Sequence, residues 1–305
     1  MYNLNWLRVA KPGGIASLVI FLASCGSSDG GSDTASGSMT LGITDAPVDI
    51  AEEVVVLFTG VEFVPADEGG ELQTITFDEP KTIDLLDLQG GVRDLLLDGE
   101  ELPAVQYAQI RLMVQAENDN VMDSYIMVSG AQHELRVPSG SQTGLKLVHN
   151  FNVEADTETD FTIDFDLRKS VVFALGQGYM LKPVLRLVET ESASSITGTI
   201  DPVVFTGQTC SSDPLVGYAV YVYEGIGATP DDLGSAAEPV TTTGVSLNEN
   251  SLYTYTVGFL EPGAYTVAAT CQADQDDPEV DNEIGLTGAA DVQVTADTTT
   301  THNFQ

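Results

Sequence analysis

From residue 39 onward, apolar and polar residues alternate with a period of two, the mark of strands that bury one face. The clearest stretch is 161–167. Phe161, Ile163, Phe165 and Leu167 share one side, while Asp164 and Asp166 share a side that reads as solvated, with Arg111 or Lys146 as cross-strand partners. Ala108, Ile110, Leu112 and Val114 share a face in the same way, and so do Leu145, Leu147, His149, Phe151 and Val153. Residues 54–58, 72–77, 124–128 and 181–188 add strand candidates, punctuated by Gly, Pro, Asn and Asp. Many short strands at this spacing predict a sandwich or barrel. Residues 83–97, IDLLDLQGGVRDLLL, break the alternation, and their leucines fit a loop with short helical turns on either side of Gly90-Gly91.

The alternation stops again at 189–195, ETESASS, a small polar bridge, and resumes at Ile196. Beyond it, 218–223, 252–257, 265–269 and 292–294 read as strands. Thr229-Pro230-Asp231-Asp232 has the order of a helix start: a capping threonine, proline in the first turn, and acids at the positive dipole end. The prediction is an all-β chain of two tandem β-sandwich domains of immunoglobulin or transthyretin-like type, 39–190 and 196–305.

Ahead of the strands, Arg8 and Lys11 precede the apolar run 15–22, the order of an export signal. The run is far shorter than the roughly 20 residues of a permanent span. Residues 26–38, GSSDGGSDTASGS, contain no large apolar side chain and have the composition of a flexible tether, with a coil reach of roughly 20 Å.

Charge sharpens the division. The 305 residues carry 11 Lys and Arg against 46 Asp and Glu, a formal charge of −35, which argues against a nucleic-acid partner. Every Lys and Arg lies at or before Arg186, so residues 192–305 hold 16 acidic residues and no basic one. The second domain is expected to contain no internal ion pair. Cys210 and Cys271 lie 61 residues apart in that domain and, in an oxidising compartment, are expected to bond to each other; the alternative is two buried free thiols.

Leu22-Ala23-Ser24-Cys25 resembles the lipobox of bacterial lipoproteins. The resemblance implies a signal peptide over 1–24, a lipid on Cys25 as the mature first residue, and a lipidated linker over 25–38. The alternatives are a secreted protein cleaved near small residues, or a buried N-terminal helix. Gly26 after the cysteine implies passage to the outer membrane, facing periplasm or cell surface. Thr44-Asp45-Ala46-Pro47, residues 83–88 and 102–112, Gly144-Leu145-Lys146-Leu147 and Leu181-Lys182-Pro183-Val184 together resemble the lipoprotein family of domain of unknown function 4382, over about 39–188. That family has no established activity, so the resemblance implies a fold and an address. Leu260-Glu261-Pro262-Gly263-Ala264-Tyr265-Thr266-Val267 resembles the turn-and-strand signature of carboxypeptidase-regulatory or transthyretin-like sandwiches, and Leu102-Pro103 to Tyr107 echoes it, which implies one plan for both domains.

No reaction is spelled out, and the chain is expected to be non-enzymatic. Only His133, His149 and His302 are present; His133-Glu134 opens like a zinc-protease helix, but Val137 stands where the second ligand belongs. His149, on an apolar face, reads as a core or edge residue. No cofactor is implied except calcium, for which two acidic loops are candidates: Glu117, Asp119, Asn120 and Asp123, and Asp274, Asp276, Asp277 and Asp281. Neither fits an EF-hand, and the bland alternative is a solvated acidic turn. Tyr218, Tyr221 and Tyr223, with Tyr253 and Tyr255, are candidates for stacking on a sugar. The expected function is a membrane-anchored envelope lipoprotein acting as a structural or binding module, its partner a glycan or an envelope protein. The alternatives are a carbohydrate-binding surface protein and a calcium-binding adhesion-type module.

Overall fold

The structure, a computed structural model, describes residues 35–46, 51–138 and 143–305. The export-type run, Cys25 and most of the tether lie outside the described residues. The chain from Thr34 to Gln305 forms one compact unit, and the fold is all-β.

Twelve strands make the first half: β1 (Ser36–Ala46), β2 (Glu53–Pro65), β3 (Gln73–Asp84), β4 (Asp94–Pro103), β5 (Gln106–Gln115), β6 (Tyr125–Val128), β7 (Ala131–Arg136), β8 (Leu145–Asn152), β9 (Glu158–Asp166), β10 (Val171–Ala174), β11 (Gly178–Leu181) and β12 (Leu185–Glu189). One sheet runs β12-β9-β1-β4; the other runs β10-β11-β7-β6-β2-β5-β8, with β3 added on β2. Their facing sides meet in one core: Met39, Leu41, Ile43, Ile163 and Phe165 from the first sheet, and Val56, Phe58, Phe63, Ile110 and Leu112 from the second. The alternating residues of the sequence therefore do face inward. β1 begins at Ser36, so the tether ends a few residues earlier than its composition suggests.

Among the described residues, no strand pairing joins the strands before the polar bridge at 189–195 to those after it. The second half contains β13 (Ser194–Ile200), β14 (Ala219–Glu224), β15 (Thr241–Gly244), β16 (Ser246–Leu247), β17 (Tyr253–Leu260), β18 (Gly263–Thr270), β19 (Leu286–Val294) and β20 (Thr299–Thr301). Its sheets run β16-β17-β13-β20 and β15-β14-β18-β19, and their inner faces close over Ile196, Val257, Val220, Val222, Val267 and Val292. β13 and β20 approach so closely that a Cβ on Gly198 would lie 1.6 Å from the His302 carbonyl oxygen, which only glycine avoids.

The halves repeat one plan. β1 pairs antiparallel with β4 and parallel with β9; β13 pairs antiparallel with β17 and parallel with β20. On the opposing sheet β5 lies between β2 and β8, as β18 lies between β14 and β19. The hairpin that crosses between the sheets carries the same tyrosine in both. Tyr107 Oη donates to the Pro103 carbonyl at 3.1 Å, and Tyr265 Oη donates to the Glu261 carbonyl at 2.8 Å, four residues back in each case. The echo between the two sequence stretches is thus one hydrogen-bonded corner used twice.

Three local expectations change. In 83–97 the one helical turn is Leu85–Leu88, a 3-10 helix capped by Asp84, whereas Leu95, Leu96 and Leu97 belong to β4. No helix forms at 229–232: the Tyr223 hydroxyl donates to the carbonyl of Asp231, the group that a helix starting there would offer to the N–H four residues on. His149 is exposed, because a bulge places Gln109 opposite Val148 and Tyr107 opposite Phe151, and this throws the intervening residues of β8 off the buried face.

Cys210 and Cys271 are bonded, with Cα atoms 5.0 Å apart, tying the loop before β14 to the end of β18. Reduction, or the paired change to Ala, is expected to lower unfolding free energy by roughly 4 kcal/mol in denaturant titrations. Tyr107→Phe and Tyr265→Phe are each expected to cost about 1 kcal/mol, similar to one another if the two corners are equivalent.

Candidate functional site

The chemistry of the molecule concentrates where the second half meets the first. Directly after β9 the chain makes one helical turn, α1 (Leu167–Ser170), whose start is capped by Asp166 accepting from the Lys169 N–H at 3.2 Å. This turn presents two adjacent cations to a neighbour that has none. Arg168, 4% exposed, places its guanidinium 5.8 Å from the centre of the Tyr221 ring and donates to the Tyr221 hydroxyl at 3.4 Å. Tyr221 in turn donates to Asp276 Oδ2 at 2.5 Å, and the Leu233 N–H reaches both oxygens of Asp276 at 3.3 Å. Lys169 Nζ contacts Glu238 at 2.7 Å and donates to the Pro239 carbonyl at 2.8 Å. On the surface Lys182 pairs with Glu279 at 2.6 Å.

The buried chain Arg168–Tyr221–Asp276 is the costly element. Removing one member of such a set leaves a charge without compensation, worth about 3–5 kcal/mol, whereas an exposed pair such as Lys182–Glu279 contributes about 0–1 kcal/mol. Burial raises the Asp276 carboxyl, against the pull of the Tyr221 hydroxyl and the Leu233 N–H. Burial also raises the Tyr221 phenol.

Acids on β9 line the first half's side of the junction, and here the structure corrects the sequence reading. Asp164 and Asp166 are buried, and their partners are Arg186 at 2.6 Å and Lys169 at 3.8 Å. Asp160 pairs with Arg93 at 2.7 Å. Arg111 and Lys146 cannot serve, because they oppose one another across β5 and β8 in the other sheet. Asp45, at the end of β1 beside Phe165, is buried as well. Burial holds its carboxyl well above the ordinary range, and the neighbouring Asp164 and Asp166 charges push it further. Burial likewise pushes Asp166 up to about 6, with Lys169 opposing.

The tyrosines expected to stack on a sugar do not reach solvent. Tyr218, Tyr221 and Tyr223 are all buried, as is Tyr255, and only Tyr253 is part-exposed, with its ring against Tyr218. The alternation that suggested a ridge of rings arises because β14 is covered on both faces: Val220 and Val222 face the sandwich core, while Ala219, Tyr221 and Tyr223 pack under the loops with Leu233 and Ala273. Glycan stacking on these rings is therefore excluded by burial.

The four acids assigned to calcium do not converge. Asp274 is exposed, Asp276 is engaged with Tyr221, and Asp277 accepts from the Glu279 N–H at 3.0 Å within its own turn. Asp281 alone joins a cluster, and its neighbours are Asp231 and Asp232 from the loop after β14, with one carboxylate oxygen of each within 4.8 Å of the others. Those two were legible only as a helix start, since nothing local reveals that a loop 50 residues later folds against them. In the other acidic loop, Glu134 caps the turn by accepting from the N–H groups of Asp119 and Asn120, both at 2.9 Å.

Residues 36–183 match the model of a family described as "Domain of unknown function (DUF4382)". No curated protein matches the sequence. Among solved structures, the chain is similar to the Bacillus anthracis TIE protein, at 10% identity and TM-score 0.20 over 89% of this chain and 34% of that one. It is also similar to GBS52, the minor pilin of Streptococcus agalactiae, at 12% identity and TM-score 0.19 over 88% and 94% of the two chains. A third, the major pilin subunit BcpA of Bacillus cereus, has 10% identity and TM-score 0.19 over 88% and 99%. The chain spans about a third of the first of these, and TM-scores near 0.2 transfer neither fold nor role.

Because Asp45 and Asp166 have folded-state values above their unfolded ones, the folded protein holds the extra protons. Their contribution to stability is complete below about pH 4 and is lost as pH rises through the folded values, about 6 for Asp166. Asp45→Asn is expected to raise the melting temperature at pH 7 by about 2–5 °C, with the difference from the parent shrinking toward pH 4. Arg168→Ala is expected to lower unfolding free energy by about 3–5 kcal/mol, and Lys182→Ala by less than about 1 kcal/mol, in denaturant titrations.

Proposed function

We propose that this chain is an exported, lipid-anchored envelope protein that works as a non-enzymatic structural or binding module. The observation that carries this reading is the Cys210–Cys271 bond in a chain whose remaining cysteine is Cys25. A disulfide inside a compact β unit belongs to an oxidising compartment. Cys25 directly follows an export-type run, in the position where a lipobox carries its lipid. A single acyl chain holds a protein only marginally, so durable attachment takes the several chains of a mature lipoprotein. The absence of Asp after Cys25 supports the outer membrane as the destination.

The site chemistry favours scaffolding over turnover. Asp164, Asp166 and Asp276, three of the buried acids, are engaged by Arg186, Lys169 and Tyr221. The histidines lie on β7, in the bulge of β8 and beyond β20.

Cys25→Ser is expected to move the protein from the membrane to the soluble fraction and to abolish incorporation of labelled fatty acid. Unchanged fractionation of the variant would overturn the anchored reading.

A further inference from the structure

We propose that Asp231, Asp232 and Asp281 form a calcium site that pins together the loop after β14 and the loop before β19. Four observations carry it, and none depends on the lipid anchor.

The spacing is that of a shared ion. Ligands held at about 2.3–2.6 Å from one calcium lie within about 5 Å of each other, and one carboxylate oxygen from each of the three residues lies within 4.8 Å of the other two. The donors are all oxygen, the set that hard cations take and that zinc and copper do not favour.

Asp232 has one oxygen available to a further partner. Its side chain is 0% exposed, its Oδ2 accepts from the Asn282 N–H, and its Oδ1 is buried with no hydrogen-bond donor. A buried carboxylate oxygen with no donor is costly, and a cation shared with Asp231 and Asp281 removes that cost.

Among the described residues, the first-half cations seen to reach the second half go elsewhere. Lys169 reaches Glu238, Lys182 reaches Glu279, and Arg168 reaches Asp276 through Tyr221. Residues 192–305 contain no Lys or Arg to send to the trio.

The two loops are already braced in the geometry an ion needs. The Tyr223 hydroxyl bonds both backbone groups of Asp231. Asn282 Oδ1 accepts from the Asp277 N–H at 2.8 Å. Gly234 lies so close to the other loop that a Cβ there would sit 2.1 Å from the Val280 carbonyl oxygen. Irregular loops of this kind suit calcium, which takes six to eight oxygens in flexible geometry and completes its shell with water, better than magnesium with its strict octahedron. The loop that supplies Asp281 also carries Asp276 and Glu279, so a bound ion steadies the residues that receive Arg168 and Lys182.

The test is terbium luminescence and thermal melting of the full chain in detergent. Terbium should emit on excitation of tyrosine, since the Tyr223 phenol touches the Asp231 backbone, and calcium but not equimolar magnesium should quench that emission. Calcium at about 100 times its dissociation constant should raise the melting temperature by about 5 °C over a chelated sample. Asp232→Asn should abolish both responses while melting at or above the parent in chelator, because it removes a buried charge. Asp281→Asn, exposed and tolerant of change, serves if Asp232→Asn does not fold, and should abolish both responses too. Asp274→Asn and Asp277→Asn should retain them. The proposal is overturned by an unchanged melting temperature, by an equal response to magnesium, by a calcium response that survives the change at Asp232 or Asp281, or by its loss in the Asp274 or Asp277 variant.

Discussion

A half-chain with sixteen acids and no Lys or Arg can pair with a Lys or Arg only outside itself, and the junction between the halves is built on that constraint. The supply is local and specific. One helical turn after β9 carries Arg168 and Lys169 into the second half, and Lys182 follows from the end of the first half's small strands. The guanidinium meets the Tyr221 ring and hydroxyl, which pass the interaction on to Asp276. A phenol between Arg168 and Asp276 gives each of them a polar partner away from water.

That junction explains why two copies of one plan form a single compact unit. Each copy closes its own sandwich, each turns its crossing hairpin with a tyrosine bonded four residues back, and no strand is shared between them. The difference lies in what covers the outer faces. β14 of the second copy is buried on both sides, with Tyr221 and Tyr223 roofed by loops, and β9 of the first copy buries Asp164 and Asp166. A disulfide reinforces the acidic copy, where self-repulsion is greatest.

The strands and their inward faces were legible from alternation because burial of one face is a property of neighbours along the chain. The disulfide followed from cysteine count, and the missing internal ion pairs from composition. The site was read less well. Tyr218, Tyr221 and Tyr223 carry the same alternation whether the outer face meets water or a loop, so burial of that face was invisible. Asp164 and Asp166 looked solvated for the same reason. Asp281 belonged to the right loop, but its partners Asp231 and Asp232 lie 50 residues away and came into view only once β14 and β19 were placed in one sheet.

Local periodicity, cysteine parity and the one-sided distribution of Lys and Arg are one-dimensional quantities, and they were enough to set an all-β class, two sandwiches, a bonded pair and an acidic half in need of cations. Which acids would meet which cations, which rings would be roofed over, and which three aspartates would converge depend on loops packing across sheets. Those contacts join residues far apart in the chain, and their energies hinge on desolvation at a junction that no window of sequence contains.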